Sequence, residues 1–555
     1  MATIEIYDTT LRDGSQQEGI SLSVSDKLRI AGLLDELGVA YIEGGWPGAL
    51  PKDDEFFRRA RSELDLTSAT LVAFGSTRRP RASVASDPQL RALLDAETEV
   101  ICIVGKAWDY HVTEALRTDL DEAVRMVAES IEYLRAHDRR VFFDAEHFFD
   151  GYRSDPEFAL AVGRAALEAG AERLVLCDTN GGTLPHEISE VVRQVRAVLT
   201  GAELGVHFHN DAGCAVASSL EAVRAGARQI QGCVNGYGER TGNADLCTII
   251  PDLVLKMGIP VVDEDRLERL APISHHIAEV VNIAPDAHRP YVGVSAFTHK
   301  AGLHTSALAR RPDAYEHAPP HKVGNRTRMV VSEQAGRASI VAKGAELGLD
   351  LDDDTARAVL ERVKELEFAG YHFEAADGSL ELLIRRTRGW RQPFFRLESF
   401  RVFTERREPG TVSAEATVKV HVGDERVVTT GEGVGPVHAL DQALRAALRG
   451  AYPEIDDLRL TDYRVRVLDS SDGTGAKVRV LLETSHHEGS WGTIGVHENI
   501  IEASWEALVD GVVVGLLRLG AAPPGDGAPT TGEPQGVTTT SGSSNTNTVQ
   551  PSRRS

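Results

Sequence analysis

Eight short runs rich in β-branched and aromatic residues, each followed by a longer segment of helical periodicity, fill the first half of the chain. This alternation forces neighbouring strands to run parallel, because every return between them is made through a helix. The runs are TIEIYD at 3, VAYIEG at 39, TSATLVAF at 67, TEVICIVG at 98, RRVFFDAE at 139, ERLVLCD at 172, ELGVHFH at 203 and RQIQGCVN at 228. They end by about residue 275, close to the roughly 250 residues of an eightfold β/α barrel. A TIM barrel is the expected fold, and an open doubly wound sheet is its structural rival.

The rest of the 555 residues exceeds what one core accommodates, so about three compact units are expected. We read 1–275 as the catalytic barrel and 276–395 as linker subdomains, first Pro- and His-rich and then helical. Residues 396–520 repeat three strand-like runs and a helix twice, an α+β (βββα)2 domain suited to regulation or dimerisation. The tail 521–555 is Gly, Pro, Ser and Thr, too poor in apolar residues to bury anything, and reads as disordered.

A formal charge of −23 and a pI near 5.3 exclude a phosphate-tracking or membrane-surface role, which needs a basic excess. No run of about 18 apolar residues occurs, and the opening MATIEIYDTTLRDG reads as a strand and a polar loop, not a signal peptide. A cytoplasmic protein is expected. The five cysteines, odd in number and without a C-x-x-C pair, predict reduced thiols and neither a disulfide framework nor a zinc knuckle.

Barrel enzymes work at the C-terminal ends of their strands, and there the ligand-type residues collect. Asp8, Arg12 and Asp13 follow the first strand, Glu43 the second, Glu146 the fifth, Asp178 and Thr179 the sixth; His207 and His209 close the seventh, and Asn243 follows the eighth. Two residues apart on a strand, His207 and His209 project from one face, the barrel interior. With an oxygen from Asp13, beside the eighth strand in a closed barrel, they form a set that suits a divalent metal and leaves positions open. The G-Y-G-E-R-T-G run at 236 lacks the spacing and setting of a dinucleotide fingerprint. Arg78, Arg79 and Arg81 read as a solvated basic loop, with a cradle for coenzyme A phosphates as the alternative.

Four ordered motifs, IYDTTLRDGSQ, VHFHNDAG, GYGERTGNADL and FTHKAGLH, resemble those of the isopropylmalate, homocitrate and citramalate synthase family over residues 3 to 520. EGGWPG, FDAEHFFDGY and WGTIGVHENIIEASWEALVDG are most similar to its citramalate synthase branch. The resemblance implies a divalent metal (Mg, Mn or Zn) on Asp13, His207 and His209 with Asn243 nearby, and Arg12 at the keto oxygen. It further implies Thr179 at the keto acid's carboxylate, Glu146 near the acetyl group, and His304 reaching in from the linker of a partner subunit. Tyr315 is a second substrate-binding candidate from that region, with core packing as its alternative. The implied reaction joins acetyl-CoA and pyruvate into (R)-citramalate, the first step of a threonine-independent route to isoleucine, in a homodimer with isoleucine as effector. Condensation on 2-ketoisovalerate for leucine, a metal-dependent lyase or aldolase, and a non-catalytic amino-acid sensor remain the alternatives.

Overall fold

The computed structural model describes residues 4–300, 304, 307–308, 310–332, 335–408, 410–468, 475–487 and 489–523. The chain separates into two compact units, one ending at Val330 and the other beginning at Val331.

The first unit is built on the expected barrel. Strands β1 (Glu5–Asp8), β2 (Tyr41–Gly45), β3 (Thr70–Ser76), β4 (Val100–Lys106), β5 (Arg140–Glu146), β6 (Arg173–Asp178), β7 (Leu204–Phe208) and β8 (Gln229–Gly232) are hydrogen-bonded in sequence order. Parallel pairing of β8 with β1, Ile6 opposite Ile230, closes the sheet. Alternate residues then face opposite ways. Tyr7, Tyr41, Val72, Val100, Cys102 and Phe142 pack together inside the barrel, whereas Ile6, Ile42, Ala73, Ile101 and Phe143 join the larger core under the helices. Strands covered on both faces need no polar side; all five residues of β7 are buried.

The helices start where the sequence can satisfy their free N–H groups. Ser23 and Asp26 form a reciprocal cap on Val24–Leu37, which stops at left-handed Gly38. Asp119 caps Leu120–Arg135, and Asp155 caps Pro156–Glu168. After the barrel, a two-residue parallel pair, β9 (Thr298–His299) and β10 (Arg328–Met329), lies in the Pro- and His-rich stretch.

The second unit holds two antiparallel sheets, β11 (Arg396–Arg407), β12 (Thr411–Val422) and β13 (Glu425–Gly433), then β14 (Arg459–Val467), β15 (Val478–His486) and β16 (Gly489–His497). Each is followed by a helix, Pro436–Leu448 or Ile500–Arg518. Ala414, Ala416, Val418 and Val420 of β12 and Val480 and Leu482 of β15 share one core with both helices. The helical residues after 331 belong here, because Ile340, Val359 and Val363 pack in a cluster with Ile494 of β16. The linker span 276–395 is therefore divided between the two units. No helix among the described residues is long and apolar enough to cross a membrane. Most of the tail predicted as disordered, from residue 524 on, lies outside the described residues.

Candidate active site

Asp13, His207 and His209 converge, all buried, with one ligand atom from each within 4.8 Å of the others. Asp13 Oδ2 lies 3.1 Å from His207 Nε2 and 3.8 Å from His209 Nε2. The second histidine stands one residue beyond β7, where an antiparallel bridge to Asn243 fixes its backbone. Burial alone would raise the Asp13 carboxyl, but Arg12, His207 and His209 outweigh it and hold the group far below the ordinary carboxylate range. Burial, then the neighbouring His207, push His209 down to about 4, so its imidazole is neutral and able to ligate. Asn243 Oδ1 is buried without a hydrogen-bond partner among the described residues, although its Nδ2 donates to Tyr237 O. One carboxylate, two imidazoles and an unsatisfied amide oxygen fit a metal ion with borderline or hard character.

The groups behind this cluster set its orientation. Gln231 Nε2 donates to Asp144 Oδ1 at 2.9 Å, which turns Gln231 Oε1 toward His207 Nδ1 at 2.8 Å. His207 must then carry a proton on Nδ1, which aims Nε2 at Asp13: Nε2–H donates to that carboxylate, and a bound metal ion would take the place of this second proton. Replacing Gln231 with leucine is expected to weaken metal binding by about 10–100-fold, read by calorimetric titration; unchanged affinity would show that His207 is oriented without it. Arg12 is held in the same manner. Its Nε donates to buried Glu43 at 2.6 Å, Glu43 also accepts from Tyr7 at 2.6 Å, and the guanidinium lies over the Phe74 ring. Burial would lower Arg12, but Glu43 and Asp13 more than offset it, so the cation is permanent.

These groups open into a cavity of about 470 Å³ lined by Arg12, Asp13, His207 and His209, with Glu146, Thr179 and Lys106 also on its walls. Thr179 Oγ1 accepts the His147 N–H at 3.0 Å, which leaves its hydroxyl hydrogen free to donate into the cavity. His147 is left-handed, φ 56°, a conformation that costs a non-glycine residue of order 1–3 kcal/mol and that concentrates at functional sites. Arg240 bridges Asp211 and the Thr179 carbonyl. Glu43 and Asp178 sit behind the site, Asp178 accepting from the Thr183 N–H and hydroxyl.

His304 and Tyr315 are stacked on each other, ring centroids 4.1 Å apart, and neither lines the cavity. In the basic loop Arg79 and Arg81 are exposed, as expected of a solvated segment, whereas Arg78 is buried and bonded to Glu122 at 2.7 Å and Glu129 at 2.6 Å, so its charge is committed within the fold. Sequence reading missed Lys106, Asp144 and Gln231. Each sits on the inward parity of its strand, Lys106 one residue past the predicted end of β4 and Asp144 two before Glu146, and a polar residue at such a position was the available signal.

A closed parallel barrel with a buried carboxylate–imidazole cluster at its C-terminal mouth defines a barrel enzyme of the HMGL-like class, whose family model matches residues 3–273. A homocitrate synthase post-HMGL domain-like region follows at 291–370, and a LeuA allosteric (dimerisation) domain at 374–516. The chain is 56% identical to the (R)-citramalate synthase of Streptomyces coelicolor over 94% of its length and 98% of the relative's. Against the (R)-citramalate synthase of Aquifex aeolicus it is 50% identical over 93% and 98%. A probable 2-isopropylmalate synthase of Methanopyrus kandleri is 34% identical over 92% and 97%. The chain belongs to the citramalate synthase family.

Proposed function

We propose that this enzyme condenses acetyl-CoA with pyruvate to give (R)-citramalate and free coenzyme A. The observation that carries the reading is one cavity holding the Asp13–His207–His209 cluster, the fixed cation Arg12 and the carboxylate Glu146, in a chain collinear with (R)-citramalate synthases. A divalent cation (Mg, Mn or Zn) held by Asp13, His207 and His209, with the Asn243 oxygen completing the donors, would supply Lewis-acid polarisation of the keto acid.

The protein's own groups account for the remaining steps. Thr179 donates its hydroxyl hydrogen to the keto acid's carboxylate and fixes which face of the carbonyl is presented. Glu146 takes a proton from the acetyl methyl group, and the resulting enolate carbon bonds to the keto carbon. Arg12, which cannot lose its charge, stabilises the alkoxide that forms. Water then cleaves the thioester and makes the condensation effectively irreversible. The C-terminal unit is read as joining two chains and binding isoleucine, in a cytoplasmic enzyme.

Among short 2-keto acids, pyruvate is expected to give the highest kcat/KM. 2-Ketoisovalerate adds two methyl groups that the keto-acid pocket must admit, at about 1–3 kcal/mol for each. Kinetics with acetyl-CoA across a keto-acid series decide it, and preference for 2-ketoisovalerate would reassign the enzyme to 2-isopropylmalate synthesis.

A further inference from the structure

The keto-acid half of the cavity has its cation in Arg12, but enolising the thioester creates a second negative charge, on the acetyl oxygen, and needs a donor of its own. The cavity-lining cations are Arg12, Arg78, Arg79, Lys106 and Arg240 among the described residues. Arg12 is bound to Glu43, Arg78 to two glutamates, and Arg240 to Asp211 and a backbone carbonyl. Arg12 also lies 3.6 Å from Asp13 and Arg240 3.8 Å from Glu239, both on the cavity wall, and Arg79 is exposed. Lys106 differs from these in holding Glu146, the carboxylate assigned to the acetyl group. Its ammonium pairs with Glu146, and an ammonium has three donors.

The barrel itself sets this pair. Lys106 and Glu146 are the last residues of adjacent strands β4 and β5 and stand directly opposite in the parallel register. A hydrogen bond from Ala107 N to Glu146 O locks that register at the mouth. In the order of the closed sheet, β4 and β5 lie across from β1 and β8, so the pair faces the wall that carries Asp13.

We propose that Lys106 is a catalytic residue that donates to the carbonyl oxygen of the acetyl thioester while Glu146 removes the methyl proton. The inference rests on the condensation reading above. In this step the methyl C–H bond breaks, its proton goes to the Glu146 carboxylate, and its electron pair becomes the enolate double bond. The former carbonyl pair moves onto oxygen, where the Lys106 N–H receives it. When the enolate carbon bonds to the keto carbon, the thioester carbonyl re-forms and the contact relaxes.

The test compares the full-length wild type with Lys106→Met and Lys106→Arg, using pyruvate with either acetyl-CoA or the more acidic fluoroacetyl-CoA. Lys106→Met should lower kcat with acetyl-CoA by about 10²–10³-fold, the usual effect of deleting one oxyanion donor, with the KM for pyruvate little changed. The loss should be at least several-fold smaller with fluoroacetyl-CoA, whose enolate needs less support, and Lys106→Arg should recover part of the rate. Melting temperature and calorimetric pyruvate binding confirm that the variants are folded with the keto-acid half intact. An equal loss with both thioesters would make Lys106 a positioning residue for Glu146 and overturn the proposal, as would a Lys106→Met enzyme within threefold of wild type. A wild type that condenses no keto acid would overturn the reading beneath it as well.

Discussion

Asp13→Ala and His207→Ala are each expected to lose the bound metal and, with it, turnover by at least about 10³-fold. A Lewis acid at a reacting carbonyl contributes several kcal/mol, and each 1.36 kcal/mol is a factor of about ten in rate. Asp13 is the more severe change. Its carboxylate lies 3.6 Å from the Arg12 guanidinium and 3.1 Å from His207 Nε2, so its removal leaves a buried cation and two imidazoles facing one another without that anion. Asp13→Asn keeps the shape and deletes the charge, which separates loss of ligation from loss of packing. A chelator should silence the wild type, with activity returning when the metal is restored. Titration calorimetry of apo proteins is the deciding measurement, and wild-type affinity in both alanine variants would remove these residues from the ligand set.

The strands could be read because parallel strands buried on both faces are continuous apolar runs, and Val100–Ile103 of β4 shows this without interruption. The helix starts at Ser23, Asp119 and Asp155 are set locally, because a capping side chain acts on its own neighbours. His207 and His209 could be paired because strand parity is local. Asp144 and Gln231 could not, since 87 positions separate them and only the folded barrel brings their side chains together. The Lys106–Glu146 pair depends on strand register, which the runs themselves do not number. Arg78 was misjudged for the same reason: its partners Glu122 and Glu129 lie in the helix after β4, and a cluster of arginines viewed alone has no visible counter-charge.

Mixing two inactive variants, Glu146→Gln and His304→Ala, is expected to restore about a quarter of wild-type activity after dissociation and reassembly. The motivation is that Glu146 lines the barrel-mouth cavity whereas His304, stacked on Tyr315, does not. A histidine that the family resemblance assigns to catalysis but that its own barrel leaves outside the cavity is predicted to serve the site of a partner chain. The 374–516 match to a LeuA allosteric (dimerisation) domain supports the pairing. If each site takes its barrel from one subunit and His304 from the other, one site of every mixed dimer receives both defects and the other receives none. Random pairing makes half the dimers mixed, and half of their sites are intact, which gives the quarter under twofold symmetry. If His304 instead turns inward to its own barrel, every site keeps one defect whatever the pairing. Activity no greater than the sum of the parents, in a sample where mass analysis shows mixed dimers, would refute the shared site and return His304 to the barrel of its own chain.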